Sequence, residues 1–205
     1  MIVYGASGHG KVIIEILEHI REPHIEIWDD AEKPPVWEYP VKRPSAAGIV
    51  IPGKMVISIG VNATRKKVAE RFKDTAAFGT AIHSSTNISK RAIIGEGTVV
   101  MAGVTVNADT IIGKHCIINT SASIDHDCVL GDYVHISPNA TLSGDVQVGE
   151  GTHIGSGASV IQGIRIGKWC TIGAGAVVIK DIPDHATAVG NPARVIKVKQ
   201  QGANE

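Results

Sequence analysis

The triplet Asp125-His126-Asp127 sets an imidazole between two carboxylates. Neutral imidazole takes up a proton near working pH, so proton transfer is the chemistry open to this histidine. Nearby carboxylates can orient the ring and favour its charged form. Successive residues of a strand point to opposite sides, so the triplet alone leaves open which aspartate does this. Near the amino end, Gly5-Ala6-Ser7-Gly8-His9-Gly10 stands between a strand-like run and a helix-like one. Free backbone N–H groups and the positive end of a helix let such a loop cradle phosphates. Its spacing is Gly-x-x-Gly-x-Gly rather than the dinucleotide Gly-x-Gly-x-x-Gly, so an ordinary tight turn fits as well. Asp29 and Asp30 follow the second strand-like run, where folds of this kind meet a ribose or base. Two solvated loop aspartates is the plainer alternative.

Two kinds of element must position these groups. Seventeen aliphatic residues recur every six positions without a miss, running Ile82, Ile88, Ile94, Val100 and on to Ile172 and Val178. A period of six fits neither a helix nor an isolated alternating strand. It fits the hexapeptide repeat of a β-helix, in which six residues form one short strand and a corner. Four residues after each aliphatic stands a small or β-branched side chain, such as Thr98, Val104, Thr110 and Ala122, which suits a narrow core. Cys116, Cys128 and Cys170 all share that position. They are expected as small core residues rather than disulfide partners, catalysts or metal ligands. Glycine recurs just after the aliphatic (Gly95, Gly113, Gly155, Gly173), where a turning backbone is expected to want relaxed torsions.

Before the ladder the pattern changes. Residues 2–4, 24–28 and 55–59 read as strands. Residues 11–20 read as a helix with Val12, Ile13, Ile16, Leu17 and Ile20 on its apolar side, and Asn62 reads as the N-cap of a second helix over 63–72. The alternation implies a small parallel sheet. The fold expected is therefore an α/β, Rossmann-like domain over residues 1–79, followed by a parallel β-helix over residues 80–205 with a C-terminal cap.

In 205 residues, 20 Lys and Arg balance 20 Asp and Glu, so nothing in the charge points to nucleic acid or an anionic membrane as partner. Met1 leads straight into a strand without a basic leader, and no apolar run approaches the roughly 18 residues of a membrane span. A cytoplasmic protein is expected.

The segments GASGHGKV, ISIGVNATRKKV and INTSASIDHDCVLGDYVHISPNATLSGDVQVG resemble the nucleotide-sugar acetyltransferases of the PglD/NeuD type, across essentially the whole chain. The resemblance implies a left-handed β-helix with three hexapeptides to each triangular turn. It implies acetyl-CoA as donor, no metal, and a homotrimer with active sites between neighbouring coils. As acceptor it implies the 4-amino group of a UDP-linked 4-amino-4,6-dideoxy sugar, of the bacillosamine type. GDP-perosamine and sialic acid hydroxyls are the alternatives.

By the same resemblance His126 corresponds to the general base, with Asp125 or Asp127 beside it, and Gly144 to the backbone donor for the thioester oxygen. Gly144 stands eighteen residues beyond His126, one full turn, so the two should stack on adjacent coils. The plainer role for Gly144 is to ease a corner. Asn119 and His135 match positions near the sugar, Gly8, His9 and Gly10 the phosphate loop, and Asp29 and Asp30 the base-recognition segment. Asn62 and Arg65 fall near the nucleotide-sugar pocket, although Val61 replaces the Asn or Asp common there, and Arg65 also reads as a helix-surface charge. Coenzyme A is expected along Gly155, Gly157 and Gly173 and the tail residues Gly190, Pro192, Ala193 and Arg194, with Lys197 near phosphate. That tail also reads as a solenoid cap. His153, eighteen residues after His135, should stack on it, with no role assigned.

A zinc enzyme on the same coil, of the gamma-class carbonic anhydrase kind, pairs coil histidines five apart, and no pair among His115, His126, His135 and His153 has that spacing. A non-catalytic scaffold is the remaining rival, and it has no use for the His126 and Gly144 pair.

Overall fold

The computed structural model describes residues 1–44, 51 and 53–199, so the last six residues of the expected second domain lie outside it. The amino-terminal domain runs β1 (Ile2–Tyr4), α1 (Gly8–His19), β2 (Glu26–Trp28), β3 (Val41–Lys42), β4 (Lys54–Ile57), α2 (Asn62–Phe72) and β5 (Ala77–Phe78). The strands are parallel in the order β3-β2-β1-β4-β5. Alternate residues of a strand face opposite sides, and both sides here are covered. Val3, Ile27 and Val56 pack with Ile13, Ile14, Ile16 and Leu17 of α1, while Ile2, Tyr4, Met55 and Ile57 pack with Val68 and Phe72 of α2.

Two helix boundaries differ from expectation. α1 begins at Gly8, so Gly8, His9 and Gly10 form its first turn and not a loop before it. A Cβ on Gly10 would lie 2.5 Å from the Gly5 carbonyl oxygen, which is why the helix can start so close to the strand. Ile14 is buried where Val12 and Ile20 were expected, and those two stay 36% and 41% exposed. The N-cap of α2 is Val61, because the Asn62 side chain has bonds elsewhere.

The ladder forms seventeen two-residue strands in three parallel sheets. The first face holds strands at 81, 99, 117, 135, 153 and 171, the second those at 87, 105, 123, 141, 159 and 177, and the third those at 93, 111, 129, 147 and 165. Partners such as Ile118 and Ile136, or Ile124 and Leu142, are eighteen residues apart, so three hexapeptides make one turn. The ladder aliphatics and the small second column fill one continuous core, and the three cysteines are free and buried within it, as expected. The glycines that follow the aliphatics have another purpose than relaxed torsions. The left-handed residue of each corner comes two positions later, for example Tyr133 at φ 61°. A Cβ on Gly155 would lie 2.6 Å from the Ala174 nitrogen, so glycine there lets adjacent coils approach.

The two domains are joined tightly. Ala81, Val99 and Ile117, which point outward from the first face, are buried under α1. At the corner between the third and first faces, Arg65 of α2 is 1% exposed. Its guanidinium donates to the carbonyls of His115, Ile59, Gly60 and Tyr133 and to Asn62 Oδ1. Those bonds use all five guanidinium donors. Burial lowers its pKa to about 10, which still leaves it charged at neutrality. Beyond the last coil, Ala186–Val189 extends the first face and Arg194–Val198 folds back antiparallel upon it.

Candidate active site

His126 stands at the corner between the second and third faces, two residues past the end of the strand Ser123–Ile124. Asp127 has a left-handed backbone (φ 60°), and its Oδ2 lies 2.7 Å from His126 Nδ1. Asp125 is turned the other way, accepting the His126 backbone N–H at 2.8 Å and the Asn107 amide at 2.8 Å. The sequence left this choice open; Asp127 orients the ring and Asp125 fixes the backbone beneath it. With Nδ1–H facing a carboxylate, Nε2 carries the lone pair. The side chain is 60% exposed, and the hydrogen bond to Asp127, followed by the charge of Asp125, raises the pKa of the imidazole.

Gly144 lies beneath the ring. A Cβ there would sit 2.6 Å from His126 Cε1 and 2.8 Å from Nε2, so only glycine lets the imidazole lie over the next coil. Its φ is outside the left-handed region, so the requirement is space and not torsion. Among the described residues its N–H has no hydrogen-bond partner, whereas the neighbouring Asp145 N–H is bonded to the His126 carbonyl. Asp125, His126, Ser143, Gly144, Asp145, Gln162 and Gly163 surround an open cleft of about 450 Å³.

A second cavity, of about 1000 Å³, lies between the amino-terminal domain and the first face. Its wall includes Gly5, Ser7, His9, Asp29, Asp30 and Asn62 from one side and His135, His153 and Trp169 from the other. The start of α1, with Ser7 and His9, is at this wall, while Gly10 is buried behind it and Gly8 is outside it. Asp29 accepts the N–H groups of Ala6 and Ala31 and so shapes the loop. Asp30 pairs with Arg71 at 2.9 Å on the exposed rim. Asn62 donates to the Gly151 carbonyl and accepts from Arg65. Arg65 is therefore neither a surface charge nor a free ligand contact: all its donors are taken, those to the His115 and Tyr133 carbonyls joining the domains.

His135 and His153 stack as their spacing implied, with ring centroids 4.6 Å apart and 12° between planes. Burial lowers the pKa of His135 to about 3, and that of His153 falls for the same first cause. Asn119 Nδ2 faces His135 Nε2 at 3.3 Å, and its Oδ1 accepts the Thr120 N–H. An amide nitrogen only donates, so Nε2 of His135 is the unprotonated nitrogen. Ser137 Oγ takes the corresponding place against His153 Nε2, at 2.7 Å. His9 is likewise held neutral, with its pKa lowered by burial to about 4. Trp169 was not singled out in the sequence; the signal was its place eighteen residues beyond Gly151, whose missing side chain makes room for the indole.

Gly155, Gly157 and Gly173 lie at a third place, the corner between the first and second faces, with Asn119. The tail is beside them: Val177 N–H donates to the Gly190 carbonyl and Ala193 N–H to the Val177 carbonyl. The Asn191–Pro192 peptide is cis, and the Arg194 guanidinium donates to the Ala193 carbonyl. Lys197 is in the outer strand. The histidine corner is thus on the side of the prism opposite the first face, and one corner away from these glycines. Among the described residues no group of three or more His, Cys, Asp or Glu is arranged to hold a metal.

Residues 1–72 match the PglD N-terminal domain, and residues 109–144 and 145–180 match the bacterial transferase hexapeptide repeat. The fold superposes on the acetyltransferase domain of PglB from Neisseria gonorrhoeae with a TM-score of 0.91 and 37% identity, over 95% of this chain and 98% of that one. The chain belongs to the PglD-type sugar acetyltransferases, acetyl-CoA-dependent enzymes built on hexapeptide repeats. The Neisseria domain has also been solved with acetyl coenzyme A. PerB from Caulobacter crescentus, solved with CoA and GDP-perosamine, is 38% identical over 96% of both chains, with a TM-score of 0.89. A UDP-N-acetylbacillosamine N-acetyltransferase of Bacillus subtilis is 47% identical over 105 residues, a stretch that spans 46% of this chain and 48% of that protein.

Proposed function

We propose that this protein transfers the acetyl group of acetyl-CoA to the 4-amino group of a UDP-linked 4-amino-4,6-dideoxy sugar. The observation that carries this reading is the His126 imidazole lying over Gly144, with Asp127 on Nδ1. The sugar amine attacks the thioester carbonyl carbon, and His126 Nε2 takes its proton. Negative charge gathers on the carbonyl oxygen, where the unpartnered Gly144 N–H is the donor. Such a donor is worth roughly 3 kcal/mol in the transition state. Collapse of the intermediate breaks the carbon–sulfur bond, and the imidazolium returns its proton to the departing thiolate. Asp127 stabilises that imidazolium throughout. No metal and no covalent enzyme intermediate is required.

The large cavity is the proposed nucleotide-sugar pocket, with diphosphate at the start of α1 beside His9. The corner with Gly155, Gly157 and Gly173, and the tail from Gly190 to Arg194, is the proposed coenzyme A groove. His126 does not face either of them within one chain, which supports a homotrimer whose sites form between copies. The Bacillus relative, more similar over its matched stretch than PerB, favours UDP over GDP as carrier. No helix among the described residues is long and apolar enough to cross a membrane.

The test is mass spectrometry of products after incubation with acetyl-CoA and, separately, the UDP-linked 4-amino sugar, GDP-perosamine and sialic acid. Acetylation of the UDP sugar alone is expected. Acetylation of GDP-perosamine or sialic acid alone would keep the chemistry and overturn the acceptor. Silence with all three would overturn the function.

A further inference from the structure

The corner that carries His126 repeats one phase of the turn on successive coils. His126, Gly144 and Gln162 follow one another at eighteen-residue steps and stand one above the next. The Gly163 N–H donates to the Gly144 carbonyl at 3.0 Å, which fixes Gln162 directly beneath Gly144. All three line the open cleft of about 450 Å³, with Asp125, Ser143, Asp145 and Gly163. Asp125 is engaged by the Asn107 amide and the His126 N–H. Gln162 is exposed, and among the described residues its side-chain amide has no hydrogen-bond partner. It is the one amide side chain of this wall, offering an N–H and a carbonyl together.

The reaction read above puts a thioester carbonyl oxygen at the Gly144 N–H. The His126 ring lies over Gly144, so the sulfur and its arm leave the cleft on the other side, toward Gln162 and the tail. Adjacent coils are roughly 4.8 Å apart. In an acyl-CoA the carbonyl carbon reaches the first amide nitrogen of the arm through sulfur and two methylenes, an extended span of about one coil step. The first amide of the arm therefore arrives at the level of Gln162. Amide meets amide there: the glutamine Nε2–H donates to the arm's carbonyl, and Oε1 accepts the arm's N–H. Gly163 beside it has nothing within 4 Å of where a Cβ would stand, which leaves room for the arm. Gly155 and Gly173 lie one corner away and supply no such group on the chain that carries His126.

We infer that Gln162 grips the first amide of the coenzyme A arm, one coil below the reacting carbonyl, and so holds the thioester against Gly144. This assignment rests on the acetyltransferase reading above and adds a residue that positions its donor. A hydrogen-bonded amide pair set one coil away from the reacting atoms binds substrate and transition state alike. Its loss therefore raises KM for acetyl-CoA and leaves kcat nearly unchanged. A second oxyanion donor would do the opposite, lowering kcat at constant KM.

The experiment is isothermal titration of wild type, Gln162→Ala and Gln162→Glu with CoA and with adenosine 3′,5′-bisphosphate. The bisphosphate carries the nucleotide end of CoA without the arm. Gln162→Ala is expected to weaken CoA about tenfold, the loss of one neutral amide pair, and to leave the bisphosphate unchanged. Gln162→Glu keeps the size and the acceptor but loses the N–H, and should weaken CoA at least as much. The side chain is exposed, so both variants fold. In acetyl transfer, Gln162→Ala should raise KM for acetyl-CoA about tenfold, with kcat within about twofold of wild type. CoA binding at wild-type strength by Gln162→Ala would overturn the assignment. So would equal weakening of CoA and the bisphosphate, or a fall in kcat at unchanged KM. A wild type that binds CoA through Gln162 yet acetylates none of the three acceptors would sink the functional reading and leave the grip standing. Acetyl transfer with no difference in CoA binding between wild type and both variants would do the reverse.

Discussion

The coil places histidines in two opposite settings, with His126 and His135 half a turn apart. At the second corner, His126 is exposed beside two carboxylates, and its pKa is raised. On the first face, His135 and His153 are half-buried, stacked and held neutral. The residue type is the same and the neighbours decide its use. A raised pKa with a free Nε2 suits a group that takes a proton and gives it back. A ring whose charge is suppressed by burial suits a wall that donates and accepts hydrogen bonds in a fixed tautomer. On the proposed function, the proton chemistry belongs to the corner and the recognition to the face.

The largest expected effect falls on the corner. Gly144→Ala and His126→Ala attack it from opposite sides, the ring itself being the greater loss. Removal of the imidazole should lower kcat/KM for acetyl transfer by about a thousandfold, leaving the fold intact because the side chain is exposed. Gly144→Ala should lower it by about a hundredfold. Its Cβ displaces the ring while the backbone, outside the left-handed region, accepts alanine. A Gly144→Ala enzyme with wild-type kcat/KM and an unmoved ring in its crystal structure would break this account of the corner.

A finer change is Asp127→Asn. A general base works only when neutral, so activity is lost as pH falls through its pKa. Asp127 is the first cause of the raised value. Its loss should move the acid limb of the kcat/KM profile to lower pH, with a decrease of about tenfold on the plateau. An acid limb that stays in place would assign the orientation to another group.

The smallest effect concerns the face. His135 falls from an ordinary 6.5 to about 3 on folding. As pH drops below about 6.5 the unfolded chain takes up a proton that the folded chain refuses until about 3, so stability is lost on acidification. The Tm gap between wild type and His135→Gln should therefore narrow between pH 7 and pH 5. A gap independent of pH would mean that the face histidine is not held neutral.

Much of this was legible in the sequence because the coil is periodic. The ladder fixes the register, the eighteen-residue turn stacks Gly144 under His126 and His153 on His135, and the cysteines fall into the core. Even the separation of sites is arithmetic: Asn119, Gly155 and Gly173 share one phase of the turn, and His126 is seven residues further on. What was not legible depends on tertiary packing or on one torsion. The choice of Asp127 over Asp125 follows from a left-handed corner residue. The destination of Arg65 follows from carbonyls on a different domain, brought to α2 only by folding. The N-cap of α2 was misplaced because the Asn62 amide bonds to the coil and to the Arg65 guanidinium instead of capping its own helix backbone.

The most direct measurement is release of free thiol from acetyl-CoA in the presence of the UDP-linked 4-amino sugar, with wild type and His126→Ala side by side. The account predicts steady turnover by the wild type and a collapse of about a thousandfold in the variant. Equal rates from both proteins would contradict it, because the proton would then leave the amine without His126.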